Sequence, residues 1–314
     1  MFLSILFACS TDFQSLDQKE PTYVNDMFTT QSDMTRNDPS IYRGNIEFSS
    51  QDSLDSFCEE YTSVAGDVRI YGESIHTLEG LSCLTKVSGS LHIEYTNIDS
   101  LYGLKFLTQI GEELVITRNH ELQTLEGLGY IDELSSNLEV SYNVSLEDLY
   151  GLENIHEING DLTLSGNPLV QNLEGLESLE YVAGSVSIID NDDLVSFDGL
   201  SSIQEVGKDV LIEHNERITD MTGWNGLTDI GGEFRINHNP RLKSFEGMNV
   251  LKHVADVSVL YNAKLHDVGA LISIKEMESA QFQFNSNYLC INDQSGVPHL
   301  AKHNPFLWNN AVCQ

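Results

Sequence analysis

LTLSGNPLVQNLEGLESLEYVAG (162–184), VSIIDNDDLVSFDGLSSIQEVG (186–207) and FRINHNPRLKSFEGMNVLKHVA (234–255) are three copies of one pattern. Working outward from them, the first apolar strand residue of each copy falls at Val68, Leu91, Leu114, Leu138, Leu162, Val186, Val210, Phe234, Val257 and Phe282. The steps are 23, 23, 24, 24, 24, 24, 24, 23 and 25 residues. Self-similarity at a fixed period of this size implies a solenoid in which each copy buries its apolar face against the next. The alternation Leu162, Leu164 reads as a short β-strand with every second side chain inward. Apolar anchors then follow every three residues, as at Val170, Leu173, Leu176, Leu179 and Val182. A glycine recurs before the third anchor, at Gly80, Gly103, Gly127, Gly151, Gly175, Gly199, Gly223 and Gly247, where the chain must bend. The fold predicted is mainly β: a right-handed parallel β-solenoid of about ten leucine-rich coils of ~24 residues over 66–287.

Five positions after each strand start stands an asparagine: Asn119, Asn143, Asn167, Asn191, Asn215, Asn239, Asn262 and Asn287. Coils stacked about 4.8 Å apart would align these amides in one column. A buried amide left unpaired costs roughly 1–3 kcal/mol, so the column is expected to be a hydrogen-bonded ladder rather than a ligand site. Glu73 and Thr96 occupy the place in the first two coils, so the ladder is expected to begin at the third. The sequon Asn143-Val144-Ser145 is discounted because Asn143 belongs to this column.

The segment Gly160-Asp161-Leu162-Thr163-Leu164, with Asn167, Leu173-Glu174-Gly175-Leu176, Leu179, Val182 and Gly184, resembles the receptor L-domain family. Its members include leucine-rich solenoids in the ectodomains of insulin and epidermal growth factor receptors. Bacterial and fungal surface proteins carrying the same repeat are closer still in pattern. The resemblance spans the repeats and implies the fold; it says less of function, because such domains share a scaffold and differ in partners. It also implies that a ligand would meet the exposed face of the main sheet. Outward strand positions there include Glu94, Thr117, Ser141, Ser165, Ile189, Glu213, Asn237 and Leu260. Beside each ladder asparagine stand Tyr95, Arg118, Tyr142, Asp190, His214, His238 and Tyr261. Aromatic and histidine side chains at coil spacing make a candidate stripe for protein or glycan contact. The alternative is that strand-rich surfaces tolerate Tyr and His without using them.

Lys+Arg 16 against Asp+Glu 48 leaves a net charge of −32, which argues against nucleic acid or an anionic bilayer as partner. At the N-terminus, Leu6-Phe7-Ala8-Cys9 resembles a bacterial lipobox, which would make Cys9 a lipidated residue and residues 1–9 a signal segment. That run is too short to span a membrane and lacks basic flanking residues, which points to a start further upstream. An ordinary signal peptide is the other reading. Ser10 after the cysteine favours the outer membrane or cell surface. Residues 10–50, rich in Gln, Ser, Asp, Asn and Thr, are expected to be a flexible tether.

Residues 51–65 are expected to cap the solenoid, with Leu54, Phe57 and Tyr61 at helical spacing, and 288–314 to cap its other end. Cys58 and Cys83 lie 25 residues apart and Cys290 and Cys313 lie 23 apart, each about one coil. Residues one coil apart stack within disulfide range, so one bond is expected at each end. Reduced core cysteines are the alternative.

Catalytic signatures are scarce. No GxSxG elbow, P-loop or HExxH motif occurs. The carboxylates of the LEGL, FDGL and FEGM turns recur because the turn recurs. A paired-acid glycosidase on the same scaffold, with acids out of register with the repeat, is one alternative; a purely structural spacer is another. His299 with His303, and His214 with His238, supply two metal donors each, too few for a site. The reading is a non-enzymatic, lipid-anchored, monomeric recognition module without cofactor or metal, whose partner is a protein or glycan.

Overall fold

The computed structural model describes residues 38–283 and Asn285. They form a parallel β-solenoid of about ten turns, with about 24 residues per turn and little helix. One face is a sheet of short parallel strands, among them Val68–Tyr71, Leu91–Glu94, Leu114–Thr117, Leu138–Ser141, Leu162–Ser165, Val186–Ile189 and Val210–Glu213. Its register is set by like residues: Leu138 pairs with Leu162 and Val140 with Leu164, then Leu162 with Val186 and Leu164 with Ile188. A second ribbon of two- and three-residue strands runs along another side, and the long strands Asp229–Asn237 and His253–Leu260 join the two. This ribbon is interrupted between Gln109–Ile110 and Glu133–Leu134, which belong to separate sheets.

Leucine, isoleucine and valine from every coil fill a single continuous core, with Phe197, Trp224, Phe234 and Phe245 enlarging it in the later coils. Trp224 Nε1 is the one buried side-chain donor without a partner among the described residues. The turn glycines are required by two causes that the sequence pattern merges. From Gly127 onward the glycine has φ between +109° and +128°, a region other residues resist. Gly80 and Gly103 lie instead in three-residue 3-10 helices, Glu79–Leu81 and Tyr102–Leu104, without positive φ. What every position shares is close stacking: a Cβ at Gly103 would lie 2.0 Å from Leu78 O, and one at Gly199 would lie 1.9 Å from Leu173 O.

The asparagine column is a directed ladder. The backbone N–H of Asn143 donates to Asn167 Oδ1 at 3.1 Å, that of Asn167 to Asn191 Oδ1 at 3.1 Å, and that of Asn191 to Asn215 Oδ1 at 3.1 Å. Each Nδ2 points the other way, to a strand carbonyl of the preceding coil: Asn167 to Val140 O at 2.9 Å and Asn191 to Leu164 O at 3.0 Å. Every ladder asparagine is nearly inaccessible. At the first end Thr96 substitutes, its N–H and Oγ1 both donating to Asn119 Oδ1.

Several expectations need correction. The last described rung is Asn285, not Asn287: Asn262 N–H donates to Asn285 Oδ1 at 3.0 Å. The last strand, Ser279–Gln283, pairs Val257 with Ala280 and Val259 with Phe282, so its inward pair starts two residues before Phe282. Alanine is a weak apolar signal, so the sequence pattern marks only the second inward position, Phe282. Asn287 itself lies outside the described residues. The tether does not extend to residue 50, because Ile41–Arg43 and Ile46–Phe48 are strands paired with Ser63–Ala65 and Val68–Tyr71. Only four apolar residues, Ile41, Tyr42, Ile46 and Phe48, mark them; Phe48 is buried edge-on against Phe57 at 5.7 Å. The expected cap at 51–65 is a helix over Gln51–Asp55, a 3-10 turn over Phe57–Glu59 and a ribbon strand, Ser63–Ala65. Ser50 caps the helix, accepting from Ser53 N–H. Cys58 and Cys83 are joined by a disulfide, with Cα atoms 5.7 Å apart. Cys9, the 1–9 segment, most of the tether, the Cys290–Cys313 pair, His299, His303 and the 288–314 cap lie outside the described residues.

Two stability outcomes follow from these contacts. Asn191→Ala removes the Nδ2 bonds to Leu164 O and Ile189 O and leaves the Asn167 N–H unpaired, so urea unfolding should show a loss of about 3 kcal/mol or more. Replacing Cys58 and Cys83 together by serine opens a loop of separation 25, and should lower stability by roughly 3 kcal/mol in the same assay.

Candidate recognition face

The residue preceding each ladder position, an asparagine or, at the first end, Thr96, follows a main-sheet strand and turns the chain. In coil after coil it adopts the left-handed conformation: Tyr95, Arg118, Tyr142, Asp190, His214, His238 and Tyr261 all have φ between +54° and +59°. Gly166, with φ +65°, is the eighth member. Lacking a side chain, it leaves no mark on the aromatic pattern. Each of these residues donates its N–H to the next coil, as Tyr142 does to Ser165 O at 2.8 Å and His238 to Leu260 O at 3.1 Å. The conformation is therefore imposed by the turn, at about 1 kcal/mol for each residue with a Cβ.

Because the turn repeats, the side chains form a column, and they touch. His214 and His238 stack with centroids 4.6 Å apart and planes within 8°, and His238 stacks on Tyr261 at 4.5 Å and 18°. Arg118 lies between two rings, 5.5 Å from the centroid of Tyr95 and 4.9 Å from that of Tyr142. The Tyr142 ring leans over the next coil, where a Cβ on Gly166 would meet it at 2.7 Å. Two stacks result, Tyr95–Arg118–Tyr142 and His214–His238–Tyr261, separated by Gly166 and Asp190. Within each stack the facing sides are occupied by one another, so there the column offers solvent its edges: tyrosine hydroxyls, guanidinium N–H groups and imidazole nitrogens. Tyr95, Tyr142 and Tyr261 remain 44–48% exposed.

The sheet beside the column is uneven. Thr117 and Ser141, read as outward-facing, are buried, and their hydroxyls bond each other at 2.7 Å. At the first coils a hollow of about 300 Å3 is lined by residues including Asp67, Arg69, His92 and Glu113. There Arg69 Nε donates to Glu94 at 2.6 Å, which raises the guanidinium above its ordinary pKa, and its head lies 4.6 Å from the Tyr71 ring centroid. His92 Nε2 is 3.0 Å from Glu113. The middle coils, through Thr163, Ser165, Ser187 and Ile189, present small uncharged side chains. In a chain of net charge −32 this is an uncharged strip of sheet, and it ends at Gly166 and Asp190, between the two stacks. Among the described residues no three His, Cys, Asp or Glu side chains converge to hold a metal ion, and no helix is long and apolar enough to cross a membrane.

Residues 132–226, the central coils, match the family model described as Receptor L domain. The match suggests a binding module rather than a catalytic one. No curated protein matches the chain.

The left-handed column makes a distinctive prediction. At Tyr142, glycine relieves the strained φ while loosening the unfolded chain, so Tyr142→Gly should change unfolding free energy by less than about 1 kcal/mol. Tyr142→Ile, whose branched Cβ tolerates that φ worst, should cost about 2 kcal/mol. Equal effects from the two would show that the conformation is not held in solution.

Proposed function

We propose that this chain is a non-enzymatic recognition module, exported and anchored through a lipidated Cys9, that binds a protein or glycan along the main-sheet face and its aromatic column. The observation that carries this reading is the set of seven non-glycine residues at φ near +55°. A turn of this kind accepts glycine, as Gly166 does, and asparagine with less strain than tyrosine, arginine or histidine. Large side chains at these positions therefore oppose backbone preference, and stacking within the column offsets part of that cost. The recognition surface is built without loops: rigid coils fix the spacing, so little entropy is lost when a partner docks.

The glycosidase alternative needs a carboxyl group held protonated by burial. The described carboxyls with a shift, Asp38, Asp220 and Asp229, all move down. Hydrogen bonds from Ser40 lower Asp38; burial pulls Asp220 upward but Thr222 and Thr219 outweigh it; Thr228 and then His253 hold Asp229 down. A purely structural spacer would have no need of strained aromatic side chains on an exposed face. The anchor rests on Leu6-Phe7-Ala8-Cys9 followed by Ser10.

The intact chain, probed against protein and glycan arrays, should bind a discrete set of ligands, and the double variant Tyr142→Gly, Tyr261→Gly should lose that binding at least tenfold while unfolding like the parent. Binding that survives the double variant would refute the assignment of this face. Metabolic labelling with a fatty-acid analogue should mark the parent and spare Cys9→Ser.

A further inference from the structure

A different side of the solenoid carries a second group of exposed aromatic rings that the repeat does not explain. The residue before the turn glycine is acidic in most coils, at Glu79, Glu126, Glu174, Asp198 and Glu246. In Leu101-Tyr102-Gly103-Leu104 and Leu149-Tyr150-Gly151-Leu152 it is tyrosine. Phe106 and Tyr130 hold another position, one coil apart, and the four rings are 45–65% exposed. They cluster where the solenoid is irregular: the coil period passes from 23 to 24 residues, the turn glycine passes from 3-10 to positive φ, and the short ribbon is interrupted. Two adjacent hollows open there and share Glu126. One, of about 340 Å3, includes Tyr102, Lys105 and Tyr130; the other, of about 520 Å3, includes Tyr150, Glu147, Asp148 and Glu153.

We propose that this aromatic groove is a docking site for a lysine- or arginine-bearing segment of a partner protein, distinct from the main-sheet face. The chain already shows what the groove takes. Lys105 Nζ lies 4.1 Å from the centroid of Tyr102 and 5.8 Å from that of Phe106, an ammonium group seated on the two rings at one end. At the other end Tyr130 and Tyr150 have no cation over them, and none of the four carboxylates named at the hollows is in an ion pair among the described residues. Glu174 accepts from the Tyr150 hydroxyl at 3.2 Å, which raises that phenol above its ordinary pKa. Exposed ring faces beside carboxylates that no cation neutralises are complementary to ammonium and guanidinium groups, each with an apolar stem to lie along the aromatic surface. Lys105 occupies the first rings as a built-in competitor, so a bound segment seats from Tyr130 toward Tyr150.

The test is calorimetric titration of the intact protein with a short peptide of alternating arginine and glycine, at physiological ionic strength so that diffuse attraction is screened. Tyr130→Ala with Tyr150→Ala should weaken binding by roughly tenfold. Asp198→Asn with Glu246→Gln, which removes two charges from the same turn column away from the rings, should leave it within about twofold. Lys105→Ala frees two more rings and should tighten it. Equal weakening by the tyrosine and charge pairs would reduce the effect to net charge and overturn the proposal. So would indifference to the tyrosine pair, or a groove that takes only a divalent cation or a neutral oligosaccharide. Because the two hollows are lined by none of the residues of the left-handed column, failure here leaves the main-sheet reading intact, and failure of that reading leaves this one.

Discussion

The amide ladder is the constraint on which the molecule depends. A coil of this solenoid turns a sharp corner after each strand, and the corner leaves one backbone N–H and one strand carbonyl facing the core, where an unsatisfied polar group is expensive. One asparagine side chain satisfies both, as at Asn191: its Oδ1 takes the N–H of Asn167 in the coil before, and its Nδ2 gives to Leu164 O of that same coil. Hydrogen bonding across coils thereby fixes the stacking register more tightly than apolar packing could, since leucine tolerates a slip that an amide does not. The strand pairing Leu138 to Leu162 to Val186, the close approach at the turn glycines and the left-handed residue before each rung are all compatible with that one register, and the ladder locks it.

Much of this architecture can be read from the residues, and the reasons are local. Asn167, Gly175 and the three-residue anchors each repeat because one physical demand repeats, so a period appears wherever the demand is met by a distinctive residue type. Legibility fails where it is met by a nondescript one. Ala280 fills an inward strand position without announcing it, and the rung at Asn285 was displaced to Asn287 as a result. Strands at Ile41–Arg43 and Ile46–Phe48 hide in polar sequence because three residues are too few to establish alternation. The helical spacing of Leu54, Phe57 and Tyr61 is real, but tertiary packing resolves it into two short turns.

The candidate face was legible as a list and illegible as an object. Spacing alone finds Tyr95, Arg118, Tyr142, His214, His238 and Tyr261; it gives neither their common φ nor the contacts that divide them into two stacks. The burial of Thr117 and Ser141 was also invisible, because alternation assigns a side but not the height of neighbouring side chains. The tyrosines of the two LYGL turns depart from an acidic column, but nothing in the pattern gives them meaning until the structure puts them beside Phe106 and Tyr130. In a repeat protein the departures carry more functional information than the consensus, because the consensus answers to the scaffold.

The direction of the ladder has a consequence for how such a chain can change. Every rung is completed by the coil that follows it, so growth or loss by a whole repeat preserves the pattern, while a single inserted residue between strand and asparagine disconnects two neighbours at once. Such a protein acts as a ruler with fixed graduations. Its reach toward a partner lengthens only in whole divisions, and affinity for a repetitive partner would climb in steps as each added division brings one more identical contact within range.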